Sequence, residues 1–197
     1  MEKKHIASID YVDFYSSVFK DYNESKTFVD KLEGLDNNAK IILHQAARMI
    51  WLSDRIEEEF AKGRPGLQIM FYLIAAELAA KLCFNFQEEG ESRSYVRKFF
   101  LEICSDCQKN LLQEAFVWSS LEKGSLALED AIDYLYDVRC DVVHRGIYYT
   151  VSFPSVDNGT SLLNPWKSDH IIIHITIDKL RKIILHGVVE ACKKLIL

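Results

Sequence analysis

From residue 38 to residue 143 apolar side chains recur mostly at intervals of three and four, and after Gly146 the interval changes to two. The spacing predicts a short aromatic-rich helix within residues 8–31, carrying Tyr11, Phe14, Tyr15 and Phe19, and then a second short helix or turn. Asn37 or Asn38 can cap a long helix running to about Lys62, with Ile42, Ala46, Met49, Ile50 and Leu52 facing inward. Gly63-Arg-Pro-Gly66 is a stop signal. The next helix, about 67–87, is apolar almost all the way round and is predicted to be the centre of a bundle. Ser92 can cap a helix from about Arg93 to about Ser119, broken near Asn110, and Gly124-Ser125 introduces another over about 126–143.

Past Gly146, Tyr148, Thr150 and Ser152 alternate with Ile147, Tyr149, Val151 and Phe153; later, Ile171, Ile173, Ile175 and Ile177 alternate with Ile172, His174 and Thr176. Two such runs, 147–153 and 171–177, predict an antiparallel hairpin with a long loop at 154–170, a place suited to binding or disorder. An amphipathic helix with Asp178 as N-cap closes the chain over about 178–196. The predicted fold is mainly α: one helical bundle over 1–197, with 1–36 as an N-terminal helical extension and 147–177 as a small β-hairpin between the last two helices. No internal repeat or low-complexity segment interrupts it.

Composition changes this picture little. The 197 residues are 49% hydrophobic and 27% charged, ordinary for a globular chain that needs no disulfide or metal staple. A net charge of -5 argues against a surface coated in positive charge for nucleic acid, although a local basic groove remains compatible with it. Five cysteines, an odd number, predict reduced thiols in a reducing compartment. Met1-Glu-Lys-Lys-His5 leads into mixed polar sequence without an apolar h-region, so no signal peptide is expected and the default location is the cytoplasm. The longest apolar run, Ile69 to Phe86, contains Glu77 and Lys81 and reads as a buried helix, with no membrane partner expected.

Candidate chemistry enters with the helix around 130–143. On a helical wheel Asp130, Asp133, Asp137 and Asp141 form a solvated acidic side. Ala131, Ile132, Leu135, Tyr136, Val142 and Val143 lie opposite, and Arg139 sits in the middle of that apolar stripe. An inward arginine must find partners, because an unpaired buried charge is too costly to keep. It can snorkel to the bundle edge, pair with a buried acid, or meet an anionic ligand at a cleft or subunit interface. The obvious acid is Glu77, with Lys81 at i+4 as a rival for it. His144 lies in or just past the final turn, where the chain ending at Gly146 can swing it toward Arg139; as a histidine at a helix C-terminus it also suits a capping role.

The stretch Leu135-Tyr-Asp-Val-Arg139-Cys-Asp-Val-Val-His144-Arg-Gly146 resembles the R-x(4–6)-H signature of the HEPN superfamily, the higher eukaryote and prokaryote nucleotide-binding domains. The helix carrying Ala75-Ala76-Glu77-Leu78 is similar to the family's central helix, which often holds an acid in an apolar run. The resemblance covers roughly residues 38–150 and the last helix. One departure is plain: catalytic members usually follow the arginine with Asn, Asp or His, whereas this chain has Cys140, and Asp141 one place later.

The resemblance implies a metal-independent endoribonuclease, without cofactor, acting as a toxin, a defence effector or an RNA-processing enzyme. It also implies a homodimer that sets two Arg139–His144 pairs across one cleft, RNA or a nucleotide as partner, and an antitoxin or regulatory protein as a further one. The residue types suit that chemistry. RNA carries its own nucleophile, the 2′-OH, so cleavage needs a base, an acid and stabilisation of the phosphorane. Imidazole changes charge near neutral pH and serves the first two roles, and the planar guanidinium fork matches phosphate oxygens. Glu77 would orient Arg139 or tune His144, and Asp141 is a further supporting candidate. Two other readings stand beside this one: a non-catalytic RNA- or nucleotide-binding or dimerisation module, and a helical scaffold in which the Arg139–Glu77 pair is structural.

Other signals carry less. Cys104-Ser-Asp-Cys107 has no second ligand pair for zinc and, placed mid-helix, reads as packed or partly exposed thiols. Asn158-Gly-Thr160 reads as a turn. His44 and His174 read as packed or half-exposed. Arg93, Arg97, Lys98, Lys179, Arg181 and Lys182 read as solvated helix faces or the border of an RNA cleft.

Overall fold

Helical spacing over most of the chain resolves into eight α-helices among the described residues of a computed structural model, which describes residues 8–59, 64–86, 90–119, 126–156, 160–162 and 171–196. The helices are α1 (Tyr11–Ser16), α2 (Tyr22–Glu33), α3 (Asn38–Glu59), α4 (Arg64–Cys83), α5 (Ser92–Lys98), α6 (Asp106–Ala115), α7 (Leu128–Arg145) and α8 (Ile177–Lys194). Three short strands, β1 (Phe116–Trp118), β2 (Thr160–Leu162) and β3 (Ile171–Ile173), form an antiparallel sheet in the order β1-β3-β2. The mainly α bundle with a small hairpin between its last two helices is therefore the fold.

The apolar helix α4 lies at the centre, against α3, α7 and α8. Its Ile69, Ala75, Ala76, Ala79 and Ala80 are fully buried, and the run of alanines lets neighbouring backbones come close. Pro65–Cys83 is long and apolar enough to cross a membrane by length and composition, and just over half of it is buried inside the fold. The α1–α2 segment packs on this core rather than trailing from it: Tyr15 is fully buried and its hydroxyl donates to the Leu43 carbonyl at 2.8 Å.

Several predicted boundaries move, each for a local reason. Leu52 is 38% exposed rather than inward. Arg64, Pro65 and Gly66 open α4 instead of forming a free turn; proline in a first helical turn sacrifices no intrahelical hydrogen bond. Ser92 is the first residue of α5, with Glu91 at the N-cap position, so its hydroxyl is released for another contact. The predicted 93–119 helix breaks at Cys104 and not near Asn110. α5 passes into a π-helical turn at Phe99–Ile103, Cys104 is extended, and Ser105 starts α6 with a reciprocal capping box to Gln108. Cys104 and Cys107 therefore flank a helix start and do not share a helix face. At the last helix Thr176 takes the capping role predicted for Asp178, its hydroxyl accepting from the Lys179 N–H.

The hairpin is also re-registered. Residues 147–153 form no strand; β3 pairs instead with β2, from within the predicted loop, and with β1, from the end of the predicted 93–119 helix. The 147–153 segment crosses the start of α4. A Cβ on Gly66 would stand 2.3 Å from the Tyr148 carbonyl oxygen, so only glycine admits that crossing. Gly66→Ala is expected to cost about 1–3 kcal/mol of stability in denaturant unfolding, since the obstructing atom is backbone and cannot rotate aside. Gly63, Gly124-Ser125 and Asn158 lie outside the described residues.

Candidate functional site

α7 carries acidic residues in its first turn, Glu129 and Asp130, and His144 and Arg145 in its last, the arrangement the helix dipole favours. Gly146 ends it in the left-handed conformation, φ 65°, with its N–H on the Val142 carbonyl. His144 therefore belongs to the final helical turn.

Arg139 takes the second of its three fates. Its Nη2 donates to Glu77 Oε2 at 3.1 Å, and its Nη1 donates to the Tyr136 hydroxyl at 3.3 Å. The guanidinium carbon lies 5.2 Å from the centre of the Tyr136 ring. The side chain keeps 15% of its exposure, and its buried Nε finds no acceptor among the described residues.

Glu77 is 8% exposed and is shared. Its Oε1 accepts from Ser92 Oγ at 2.7 Å and lies 2.7 Å from Lys81 Nζ, so the rival cation joins the pair rather than displacing it. One carboxylate thus holds α4, α5 and α7 together through two cations and a hydroxyl. Hydrogen bonds of this kind satisfy a buried charge that desolvation alone would expel.

The acidic side of α7 is solvated only in part: Asp130 is exposed as predicted, whereas Asp133 and Asp137 pair with the arginines of α5, which are therefore not free faces. Arg93 donates to Asp137 at 2.6 Å and stacks 4.6 Å from the Tyr136 ring centre, while Arg97 donates to Asp133 at 2.8 Å through Nε and again through Nη2. The Arg97 hydrogen bonds hold the Asp133 carboxyl below its ordinary range, against the opposing effect of burial. Burial pushes the Tyr136 phenol up, against the lowering pull of Arg139. Because the Asp133 value is depressed in the fold, its pairing stabilises above the ordinary carboxylate range and is lost as pH falls through the folded value. Arg97→Ala is expected to lower stability by at most about 1 kcal/mol at neutral pH, the pair being partly exposed. That difference from the parent should shrink in unfolding curves recorded as pH falls below the ordinary carboxylate range.

His144 does not swing toward Arg139. It is exposed, and no hydrogen bond or ion pair among the described residues joins the two. Five residues along a regular helix separate them by a rise of about 7.5 Å and a turn of about 140°, and the unbroken last turn preserves both. Asp141 is engaged by Arg145 at 2.8 Å, not by either signature residue. Val143, predicted to face inward, is 47% exposed. With Tyr149, 68% exposed, and Tyr148, whose ring centre lies 5.8 Å from that of Tyr149, it contributes apolar surface to the segment around His144.

The sequence reading missed Ser92, Tyr136 and Arg93 as parts of the site. Tyr136 stands three residues before Arg139 on the same stripe, a spacing that could have suggested the contact. The partners from α5 needed the tertiary fold. His44, read as packed or half-exposed, is half-buried, stacked on Tyr11 and 2.6 Å from Glu33. Arg181 pairs with Asp54 at 2.7–2.8 Å and is no part of a free basic face. All five cysteines are free. Among the described residues no three His, Cys, Asp or Glu side chains gather where they could hold a metal ion. No protein-family model, curated protein or solved structure matches the chain.

Proposed function

We propose that this protein is a metal-independent endoribonuclease of HEPN type, with a toxin, defence or RNA-processing role, acting on RNA in a reducing compartment such as the cytoplasm. Arg139 and His144 act at a cleft completed by a second copy of the chain. One observation carries the reading. The last two turns of α7 hold a guanidinium fixed in orientation by Glu77 and Tyr136 and an exposed imidazole on an apolar-bordered surface.

In this mechanism one His144 accepts the proton of the RNA 2′-OH, whose oxygen attacks the adjacent phosphorus. The 5′-oxygen departs with a proton from the His144 of the other copy, leaving a 2′,3′-cyclic phosphate and a 5′-hydroxyl. Arg139 stabilises the charged phosphorane. Its hydrogen bonds to Glu77 and Tyr136 leave one N–H on each terminal nitrogen for phosphate oxygens. Glu77 is a positioning residue, fixing the fork before RNA arrives. The exposed Val143, Tyr148 and Tyr149 favour association of two copies near His144.

A non-catalytic RNA- or nucleotide-binding or dimerisation module is the second reading. The engagement of Arg139 by Glu77, its lack of contact with His144, and Cys140 after the arginine favour it. The two separate in RNA degradation under excess chelator by the parent, Arg139→Ala and His144→Ala. The enzyme reading expects activity in the parent alone. RNA binding without cleavage selects the module, and equal activity in all three rules out this site.

A further inference from the structure

A groove of about 580 Å³ runs between α6 and α8, and none of its lining residues belongs to the Glu77–Arg139–His144 region. Ala115, Ile175 and Ile183 line it and are buried, and Leu111, 48% exposed, adds an apolar wall on α6. Gln108 is the buried polar side chain among the lining residues, 7% exposed. Its carboxamide is oriented by the capping box of α6: Oε1 accepts from the Ser105 N–H at 2.8 Å, while the Gln108 N–H donates to Ser105 Oγ. That reciprocal pair settles which end of the amide is the acceptor and leaves the Nε2 donors over. No hydrogen bond among the described residues engages Nε2, and a donor on so nearly buried a side chain is costly to leave unpaired. Nε2 is not sealed from solvent, and the groove is the space beside it.

The charges on the walls offset one another. Lys182 on α8 and Glu114 on α6 are both exposed and of opposite sign, and Lys179 has a partner of its own. Burial holds the His186 imidazole below its ordinary value, with Lys193 and Lys182 acting the same way and Glu190 against them, so that side chain is uncharged at neutral pH. A lining balanced in this way favours neither an anion nor a cation. The volume is that of a small-molecule site, and a mostly apolar lining fits a ring-sized organic body. What the lining asks for is an acceptor for Gln108, and a carbonyl brings no donor of its own that would need satisfying among apolar side chains. We propose that the groove binds a small neutral organic molecule, its apolar body over Leu111, Ala115 and Ile183 and its carbonyl oxygen accepting from Gln108 Nε2. The site does not depend on the ribonuclease reading.

The test uses the full chain and three fluorescent probes. Propionyl-dimethylaminonaphthalene is a neutral ketone, phenylnaphthylamine is neutral and has no carbonyl, and anilinonaphthalene sulfonate is the latter's body with a negative charge. The parent should bind the ketone saturably. Gln108→Glu keeps an oxygen for the Ser105 N–H, as a favoured residue of a capping box, and removes the donor. It should weaken the ketone by about fivefold or more while leaving phenylnaphthylamine within about twofold. Leu111→Trp, at an exposed position, should fill the groove and weaken both neutral probes, with unchanged circular dichroism showing that both variants fold. Failure of the parent to saturate with the ketone overturns the proposal. Equal ketone binding by Gln108→Glu overturns the carbonyl assignment. Tighter binding of the sulfonate than of phenylnaphthylamine overturns the neutral one. Retention of both neutral probes by Leu111→Trp places binding elsewhere and overturns the site.

Discussion

Glu77→Ala is expected to destabilise the fold by about 3 kcal/mol in denaturant unfolding at neutral pH, the lower part of the range for breaking a buried ion pair. The carboxylate is the only anion bonded to Arg139 among the described residues, and it also holds Lys81 and Ser92. Its removal leaves a nearly buried guanidinium whose remaining bond is to a neutral phenol. Lys81 retains more exposure and can turn toward water, which is why the larger values in that range are not expected. Glu77→Gln keeps the shape and one acceptor oxygen and should lose less. A loss below about 1 kcal/mol for the alanine variant would mean that the three helices are held by apolar packing alone.

Arg139→Ala should behave in the opposite proportion. Glu77 keeps Lys81 and Ser92, so its charge stays compensated and the stability loss should be only about 1–2 kcal/mol. On the proposed ribonuclease mechanism, activity toward RNA should fall by about 100-fold or more, because the guanidinium would face charge that develops in the transition state. Arg139→Lys should restore part of the stability and little of the rate: an ammonium can meet Glu77 but cannot hold Glu77, Tyr136 and a phosphate oxygen in one plane. Cleavage assays on variants of confirmed fold check this directly. Undiminished cleavage by Arg139→Ala would remove the arginine from the mechanism.

Periodicity made the bundle legible. The all-round apolar pattern of 67–87 marked α4 as central, and the inward Arg139 with its acid Glu77 could be read from a wheel and one anomalous charge. What stayed hidden was decided between elements. The β-branched run 147–153 has strand chemistry, but its segment is drawn across Gly66 at the start of α4, while β1 and β2 take the places beside β3. Asp133 and Asp137 look solvated on an isolated wheel because the wheel cannot include Arg93 and Arg97 from α5. Ser92 looked like a cap, and its hydroxyl went to the buried carboxylate instead. His144 and Arg139 are close in sequence, yet an unbroken last turn holds them apart. The proposed ribonuclease mechanism therefore requires a second copy, and no helical wheel contains one.

The most direct test is to incubate the parent protein, under excess chelator, with an RNA oligonucleotide and with the same sequence carrying 2′-deoxy sugars. Cleavage of the RNA alone is expected, with 2′,3′-cyclic phosphate ends and no loss of rate as chelator rises. Cleavage of the deoxy strand, or a rate abolished by the chelator, would contradict a reaction driven by the 2′-OH, Arg139 and His144.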